Sequence, residues 1–298
     1  MNYKELIPSK ELRLKILRLT DFLPDKLMIK LQYKIATGRK LNLKNPQRFT
    51  EKLQWYKLYH RDPLMTRCAD KYSVRGYVTS KGYEEILVPL YGVYDNVNEI
   101  DFEKLPNEFV LKTTNGSQTN LICNNKLELN IEETKKNIDK WLNIWKGKIG
   151  REWAYYDIKP KVICEKLLEK DEDNDIVDYK FFCFNGKVEY LNVCKERFSE
   201  SGLKMGFYDR NFNFIDINRD RYSMADNYGQ KIPVKQPKEF SKMLHIAEQL
   251  SKDFPHVRVD LYNIRGKVYF GELTFYDGSG YEDYGSFDLI LGEKFDIK

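Results

Sequence analysis

An arginine, two carboxylates and a hydroxyl alternate with apolar residues in the segment VRVDLYNIRGKVYFGELTF, residues 257–275. Side chains two positions apart on a strand share a face, so Arg258 and Asp260 lie together, and so do Glu272 and Thr274 on the following strand. If the strands form a hairpin, Asp260 and Glu272 come within about two residue pairs of each other. Such carboxylates suit Mg²⁺, which completes its coordination with water and nucleotide phosphates. A solvated strand face with a surface ion pair is the alternative.

A second candidate is the loop TTNGSQTN, residues 113–120, between the apolar runs EFVLK and LIC. Its backbone N–H groups, the hydroxyls of Thr114 and Ser117 and the permissive Gly116 suit phosphate binding, and Lys112 at its entrance could add positive charge. The segment lacks both the GxxxxGK[ST] and the GxGxxG patterns. An ordinary polar loop joining two strands is the alternative.

The supply of histidine and cysteine restricts the chemistry further. Three histidines, at positions 60, 245 and 256, and five scattered cysteines without a CxxC pair offer little material for a zinc site or a Ser-His-Asp triad. Any metal should therefore prefer oxygen ligands, and the cysteines are expected to be reduced and packed. His256, which follows Pro255, could act as a base or simply cap a strand.

Length and composition indicate a globular protein that stays inside the cell. The chain has 298 residues, 42% of them hydrophobic, which is enough for one or two closely packed domains. Its net charge of +5 is mild and gives no support for nucleic-acid binding. No uncharged apolar run approaches the roughly 18 residues that cross a bilayer, and the opening residues are too charged for a secretory signal. We expect a cytoplasmic protein without a transmembrane segment.

The elements that must position these residues read as mixed α and β. Residues 1 to about 60 predict three helices, the second ending at Gly38 and the third beginning near Thr50 as its N-cap, before a break at Asp62-Pro63. Further helices are predicted within 70–83, 131–145 and 235–253. Strands are predicted at 86–89, 109–112 and 161–164, with a hairpin over 181–193 that turns at Asn185-Gly186.

Six segments, in order along the chain, resemble the ATP-grasp fold, and more closely the TupA-like ATP-grasp family of bacterial surface-polysaccharide and teichuronopeptide biosynthesis. They are NPQRFTEKLQWYK, ADKYSVRGYV, LPNEFVLKTTNGSQTN, VICEKLL, DYKFFCFNGKVEY and FPHVRVDLYNIRGKVYFGELTFYDGSG. The resemblance implies an α+β ATP-grasp fold, in which two α+β subdomains clasp ATP, preceded by an N-terminal helical segment at 1–66. The ATP-grasp region would then span 67–298, with an ATP-binding subdomain at about 105–170 and a metal-binding subdomain at about 171–285.

The resemblance also implies roles for residues on the nucleotide side. Lys112 would contact an α- or β-phosphate, and the loop at 113–120 would fold over the phosphates. The segment 164–167, which contains Glu165, Lys166 and Leu167, would line the adenine, with Glu165 and Leu167 at the hinge whose backbone binds the adenine edge. Lys180 matches a basic position of the central sheet in related ligases. For Glu165 and Lys180, a salt bridge at a strand edge is the alternative.

On the metal side, Asp260 and Glu272 match the family's two metal-bridging carboxylates, and Arg258 matches the arginine that steadies the phosphoryl group in transit. Thr274 departs from the asparagine usual at its position; its hydroxyl would bind the metal weakly or through water, which puts a second metal ion in doubt or gives a share of the ligation to Asp277. The tail YDGSGYEDYG stands where related ligases carry an Asn-x-x-Pro-Gly loop against the acceptor substrate.

The function that the resemblance implies is an Mg²⁺- and ATP-dependent carboxylate–amine ligase that works through an acyl phosphate. Its substrates would be a carboxylate and an amine, such as an amino acid and a uronic-acid sugar, in capsule, O-antigen or other surface-polysaccharide synthesis, with peripheral association with that assembly machinery. One alternative is a sugar-nucleotide glycosyltransferase, although the DED at 171–173 falls in a predicted exposed turn. Another is a non-catalytic ATP-binding scaffold whose N-terminal helices dock a partner.

Overall fold

The computed structural model describes residues 9–116, 119–143, 147–172, 174–196, 202–217, 227–228 and 234–297. Along these residues a helical segment is followed by a four-stranded sheet and then by a seven-stranded sheet. Helices and strands are thus mixed, as the sequence predicts.

The helical segment contains five helices whose ends follow local signals. They are α1 (Lys10–Leu19), α2 (Asp25–Thr37), α3 (Phe49–Tyr59), α4 (Pro63–Ala69) and α5 (Ser73–Ser80). Gly38 ends α2 with a left-handed φ of 72°, and the Asp62 side chain caps α4, whose first residue is Pro63. No helix in the described part of the chain is long and apolar enough to cross a bilayer.

The predicted N-cap of α3 at Thr50 is wrong. Arg48 is the N-cap, and Thr50 already lies in the first turn of the helix. Thr50 donates its N–H and its hydroxyl to the buried carboxylate of Asp288, at 2.9 and 2.8 Å. The polar groups of Thr50 that suggested a local cap therefore bind Asp288, a residue far along the chain.

The small sheet is antiparallel and has the strand order β1-β4-β2-β3. Its strands are β1 (Leu90–Tyr94), β2 (Phe109–Thr113), β3 (Asn120–Cys123) and β4 (Val162–Lys166), and the helix that packs on it is α6 (Ile131–Leu142). The strand predicted at 86–89 is wrong, because a 3₁₀ turn at Glu84–Ile86 precedes β1. Ile86 and Val88 are buried beside that turn, so their apolar character reflects burial and not strand pairing.

The large sheet has the order β11-β10-β5-β6-β7-β8, with β9 parallel beside β7 and all other neighbours antiparallel. Its strands are β5 (Asp178–Phe184), β6 (Lys187–Lys195), β7 (Lys204–Asp209), β8 (Phe214–Ile215), β9 (Asn227–Tyr228), β10 (His256–Ile264) and β11 (Lys267–Thr274). The predicted hairpin turn is confirmed, with φ of 49° at Asn185 and 75° at Gly186. The chain passes from the small sheet to the large one between Lys166 and Asp178, and the subdomain boundary near residue 170 stays a prediction.

One face of the large sheet is apolar and packs on α8 (Phe240–Ser251), a shorter helix than the predicted 235–253. The other face is covered at one end by α3, where Phe49 contacts Phe184 and His256. Helices α3, α4 and α5 share their main hydrophobic cluster with this sheet, and the predicted segment boundary at residue 66 falls inside α4. A short helix, α7 (Gly147–Gly150), lies earlier in the chain, between α6 and β4. Near the C-terminus, α9 (Phe287–Lys294) packs against α3.

All five cysteines are free and buried, as predicted. Burial raises the pKa of the Cys164 and Cys183 thiols to about 12, so neither is a thiolate near neutral pH. These cysteines pack the two sheets and supply no nucleophile.

Candidate active site

The second face of the large sheet carries a polar cluster along β5, β10 and β11. Alternation along β10 turns Val257 and Val259 into the core and Arg258 and Asp260 to the opposite face. Asp260 pairs with Lys180 of β5 on one side and with Glu272 of β11 on the other. Three charged side chains thus lie side by side on adjacent strands.

A β-bulge at Gly271 places Glu272 on this face. Between β10 and β11, Leu261 pairs with Phe270 but Asp260 pairs with Glu272, so Gly271 is an extra residue. In an unbroken ladder Glu272 would oppose Val259 and face the core, because directly opposed residues share a face. Asp260 and Glu272 are therefore direct partners, which is within the predicted two residue pairs.

Only glycine fits at the bulge without a shift of its neighbours. A Cβ on Gly271 would lie 3.0 Å from the Asp260 carbonyl oxygen and 3.2 Å from a ring carbon of Tyr262. Sequence reasoning missed this residue. The available signal was an isolated glycine inside a strand pattern, which often marks a bulge.

Arg258 is the centre of the cluster. Its Nε and Nη2 donate to the two oxygens of Asp260 at 2.7 and 2.8 Å, and Nη2 also donates to Thr274 Oγ1 at 3.1 Å. Its Nη1 pairs with Asp277, which also accepts from the Tyr284 hydroxyl. Burial acts to lower the pKa of Arg258, but the charges of Asp260 and Glu272 outweigh burial and raise it. The guanidinium is permanently charged and held in one orientation.

Lys180 lies between two carboxylates in the middle of the sheet. Its Nζ donates to Asp260 Oδ2 at 2.5 Å and pairs with Asp178 Oδ2 at 2.6 Å. Burial acts to lower the pKa of Lys180, but the two carboxylates raise it above its ordinary value. Lys180 is ion-paired, although β5 is an inner strand and not the strand edge considered as the alternative.

Glu272 is the accessible carboxylate of the cluster. Its side chain is 37% exposed, whereas that of Asp260 is 2% exposed. Oε1 accepts from Thr274 Oγ1 at 3.2 Å, and Oε2 lies 3.3 Å from Lys71 Nζ. Partial burial acts to raise the pKa of Glu272, but Lys71, Arg258 and Lys180 lower it well below its usual range. Glu272 is therefore an anion at every physiological pH.

On the small sheet, Glu165 joins two basic side chains. Its Oε2 accepts from Lys112 Nζ at 2.8 Å across β2 and β4, and its Oε1 lies 3.3 Å from Arg75 Nη1. Glu165 is buried, whereas 32% of the Lys112 side chain is exposed. The structure thus brings together Lys112 and Glu165; Lys166 is exposed and Leu167 half-buried at the end of β4.

The loop after β2 is braced by its own hydroxyls. Thr114 is fully buried, its N–H donates to the Lys161 carbonyl at 3.0 Å, and its Oγ1 accepts from the Lys161 N–H at 3.1 Å. Thr113 and Thr119 join their hydroxyls at 2.7 Å across the loop base. Thr114 therefore supports the loop, Gly116 is buried within it, and Ser117 lies outside the described residues.

Lys71 links the two sheets, and sequence reasoning missed it. Its N–H donates to the Thr114 carbonyl at 3.2 Å, while its ammonium reaches Glu272. Asp70 holds this segment by accepting the N–H groups of Tyr72 and Ser73 at 3.1 and 2.6 Å at the start of α5. Lys71 and Arg75 stand in the segment ADKYSVRGYV, where Asp70, shortly before the helix, was the only local signal.

His256 belongs to the core and not to the site. It is fully buried, its Nδ1 lies 2.9 Å from the Cys183 carbonyl oxygen, and its ring stacks on Phe184 at 4.7 Å. Burial lowers the pKa of His256 to about 3, so the ring is neutral. The geometry favours the structural alternative over a catalytic base.

A model of the TupA-like ATP-grasp family matches residues 51–296. The chain belongs to this family. No curated protein matches it. The match begins inside α3, so it covers both sheets of this TupA-like protein and leaves out α1 and α2.

Several solved structures share a distant likeness with this TupA-like chain. D-alanine–D-alanine ligase from Bacillus anthracis is 16% identical, with a TM-score of 0.41 over 70% of this chain and 57% of that one. L-amino acid ligase from Bacillus licheniformis is 14% identical, with a TM-score of 0.41 over 93% and 57%. The ADP complex of N5-carboxyaminoimidazole ribonucleotide synthetase is 15% identical, with a TM-score of 0.44 over 83% and 55%. The chain spans little more than half the length of these proteins.

The donor set of the TupA-like cluster fits a magnesium ion that is shared with a nucleotide. Within the described residues, no three His, Cys, Asp or Glu side chains converge as a self-sufficient metal site. Glu272 presents its carboxylate to solvent, and Asp260 lies directly opposite, its oxygens already paired with Arg258 and Lys180. One or two carboxylates with water and phosphates are the usual protein contribution to Mg²⁺ binding. Thr274 and Asp277 both hydrogen-bond to neighbours here, and their roles as ligands stay predictions.

Proposed function

We propose that this TupA-like ATP-grasp protein is a ligase that uses Mg²⁺ and ATP to join a carboxylate to an amine through an acyl phosphate. The observation that carries the proposal is that Lys71 joins the two sheets that hold the charge clusters, because its N–H donates to the Thr114 carbonyl after β2 and its ammonium contacts Glu272 of β11. On one side Glu272 and Asp260 lie beside the charged guanidinium of Arg258. On the other, Lys112 and Arg75 surround Glu165 of the small sheet.

Phosphoryl transfer depends on positioning and on charge neutralisation, and the site is built from residues that supply both. Lys112 would bind the α- or β-phosphate, because its side chain is partly exposed and can exchange Glu165 for a phosphate. Arg258 would face the transferred phosphoryl group, and Lys180 would keep Asp260 oriented. Mg²⁺, when bound at Glu272 and Asp260, would neutralise charge on the phosphates.

No side-chain nucleophile is required in this chemistry. ATP donates its γ-phosphoryl group to the substrate carboxylate, which releases ADP, and the amine then attacks the acyl carbon and displaces phosphate. Each step is a transfer between bound substrates, so the protein orients them and excludes water. The buried state of all five cysteines agrees with this scheme.

The substrate class is proposed from the family. The TupA-like family is associated with surface-polysaccharide and teichuronopeptide biosynthesis, which supports a role in capsule, O-antigen or related polymers. An amino acid would supply the amine and a uronic-acid sugar the carboxylate, or the amino acid would supply both. The segment Asp277–Gly280, which follows β11, would meet the acceptor.

The test combines ligand binding with turnover. Mg²⁺-ATP is expected to raise the melting temperature, because a ligand that binds only the folded state stabilises it, and UDP-sugars should raise it less. The protein is then incubated with Mg²⁺-ATP and a panel of amino acids and uronic acids, while ADP, phosphate and the amide product are measured. Stabilisation by a UDP-sugar with none by ATP would favour the glycosyltransferase. ATP binding without turnover across the panel, by a protein that also binds polysaccharide enzymes, would favour the scaffold.

A further inference from the structure

The two N-terminal helices expose an unusual share of the apolar surface. Of the fifteen large apolar side chains that are exposed in the described residues, seven lie between positions 12 and 35. They are Leu12, Ile16, Leu19, Phe22, Leu27, Leu31 and Ile35, with exposed fractions between 40% and 82%. Scattered single apolar residues are normal on a surface, whereas such a concentration marks an interaction site.

The exposed residues follow the helical repeat. Leu12, Ile16 and Leu19 form one stripe on α1, and Leu27, Leu31 and Ile35 form one on α2. Helix α2 buries a different set, Met28, Ile29 and Tyr33, against the protein. It is therefore apolar on the face that packs and on part of the face that does not. Packing against the protein core therefore does not explain the exposed stripe of Leu27, Leu31 and Ile35.

Basic residues flank both stripes. Residues 10–37 contain seven lysines and arginines and three acidic residues. The basic positions are Lys10, Arg13, Lys15, Arg18, Lys26, Lys30 and Lys34. Of the acidic residues, Asp25 is paired with Arg151 at 3.1 Å and lies 3.8 Å from Arg61. The surface that carries the apolar stripes is thus positive.

Contacts with the rest of the protein hold the turn between α1 and α2 in place, with Phe22 exposed. Arg151, which is 2% exposed, donates to the carbonyls of Thr20 at 2.7 Å and Leu23 at 3.1 Å. These carbonyls stand on either side of Phe22, which is 82% exposed. Gln32 further ties α2 to the body by donating to the Ile149 carbonyl at 2.8 Å. The tertiary structure therefore holds Phe22 outward.

We infer that α1, the turn at Phe22 and α2 bind the surface of a membrane that contains anionic lipid. Apolar side chains on a helix that lies in the membrane plane enter the boundary between headgroups and acyl chains. Lysines and arginines beside them contact anionic headgroups while their aliphatic stems remain in the apolar layer. Positive charge with exposed apolar residues matches this surface better than it matches a second copy of the chain, which would bring like charges together. The inference does not depend on the proposed ligase activity.

The protein should float with lipid vesicles in a way that depends on their lipid composition. We expect it to bind vesicles in which about a third of the lipid is phosphatidylglycerol, and to bind phosphatidylcholine vesicles on the order of tenfold less. Raising the salt from about 0.1 M to about 1 M should weaken binding, because the screening length falls from about 10 Å to about 3 Å. Equal flotation with both lipids, or none with either, would overturn the inference.

Single variants locate the surface. Phe22→Asp should reduce binding to the anionic vesicles about tenfold or more, because it places a charge where an aromatic ring enters the lipid. Leu127→Asp is the matched control, since Leu127 is 90% exposed but lies outside these helices. The control should bind like the parent. Undiminished binding by Phe22→Asp, with an unchanged melting temperature, would contradict the inference.

A charge variant separates the lipid from other occupants. Lys26→Gln with Lys30→Gln should lower anionic-vesicle binding about tenfold or more, and Lys104→Gln with Lys159→Gln should not, although the net charge is the same. Lys104 and Lys159 have exposed fractions of 85% and 81%. A parent that elutes as a dimer without vesicle binding, and that Phe22→Asp turns into a monomer, would make the surface a self-association face and overturn the inference.

Discussion

The two charge clusters of the site differ in how tightly the fold holds them. In the large-sheet cluster, Asp260 pairs with Arg258 and Lys180 on inner strands, and its side chain is 2% exposed. In the small-sheet cluster, Glu165 pairs with Lys112, whose side chain is 32% exposed. The first is pre-organised, and the second can release a cation to a ligand. This difference suits one cluster to the reacting phosphate and the other to holding the nucleotide.

Neutralising the central carboxylate of each cluster should give the largest contrast. Asp260→Asn leaves two buried cations short of an anion, and breaking a buried ion pair costs about 3 kcal/mol of unfolding free energy. Glu165→Gln should cost less, about 1–2 kcal/mol, because the partly exposed Lys112 can turn to solvent and the amide oxygen can still accept from Arg75. Denaturant unfolding of both variants measures the difference. Equal losses would show that the two clusters are held equally.

Glu272→Gln should separate catalysis from stability within the large-sheet cluster. The amide keeps the shape but removes the anion that faces solvent, so ATP turnover should fall by about a hundredfold or more while the fold survives. Glu169→Gln is the control, an exposed glutamate paired with Arg265. Turnover near the parent rate with Mg²⁺ still required would place the metal elsewhere.

Gly271→Val tests whether the bulge positions the large-sheet carboxylates. The new side chain meets the Asp260 carbonyl, so we expect a loss of about 1–3 kcal/mol in unfolding free energy and a fall in turnover of about tenfold. Gly271→Ala should have a smaller effect in the same direction. If Gly271→Val loses stability but keeps full turnover, the bulge serves packing and not the site.

Lys112→Ala probes the small-sheet cluster. Loss of one cation from a phosphate should weaken ATP binding about tenfold, with little change in melting temperature, because Lys112 supplies charge and not core packing. Calorimetric titration with Mg²⁺-ATP measures the Kd, and Lys104→Ala is the control for an exposed lysine. An unchanged Kd would assign Lys112 to a surface ion pair with Glu165.

The smallest effects are expected at Thr274, which supports its neighbours by hydrogen bonds. Thr274→Val removes one hydrogen bond to Glu272 and one from Arg258, and should lower turnover about tenfold or less. Thr274→Asn should be tolerated, since the amide restores the commoner ligand type. A Thr274→Val loss as large as that of Glu272→Gln would make Thr274 a direct metal ligand.

The features that the sequence determined by itself, such as turns, a helix end and strand patterns, depend on interactions between neighbouring residues. Asn185-Gly186 specifies its hairpin, and Gly38 ends α2, because left-handed backbone conformations depend on the residue that adopts them. The alternating pattern around Asp260 and Glu272 predicts two strands, and with the other segments it identifies the family and an α+β fold.

Contacts between distant segments decided the rest. The bulge that turns Glu272 to the face of Asp260 depends on pairing between strands. The alternation of apolar and polar residues along either strand does not predict it. Lys71 contacts Glu272, and Thr50 hydrogen-bonds to Asp288, although about two hundred residues or more separate the partners in sequence. Periodicity and capping rules describe only neighbours within a few positions, so they predicted the hairpins and a helix end such as Gly38. They could not predict which charges from distant segments would meet.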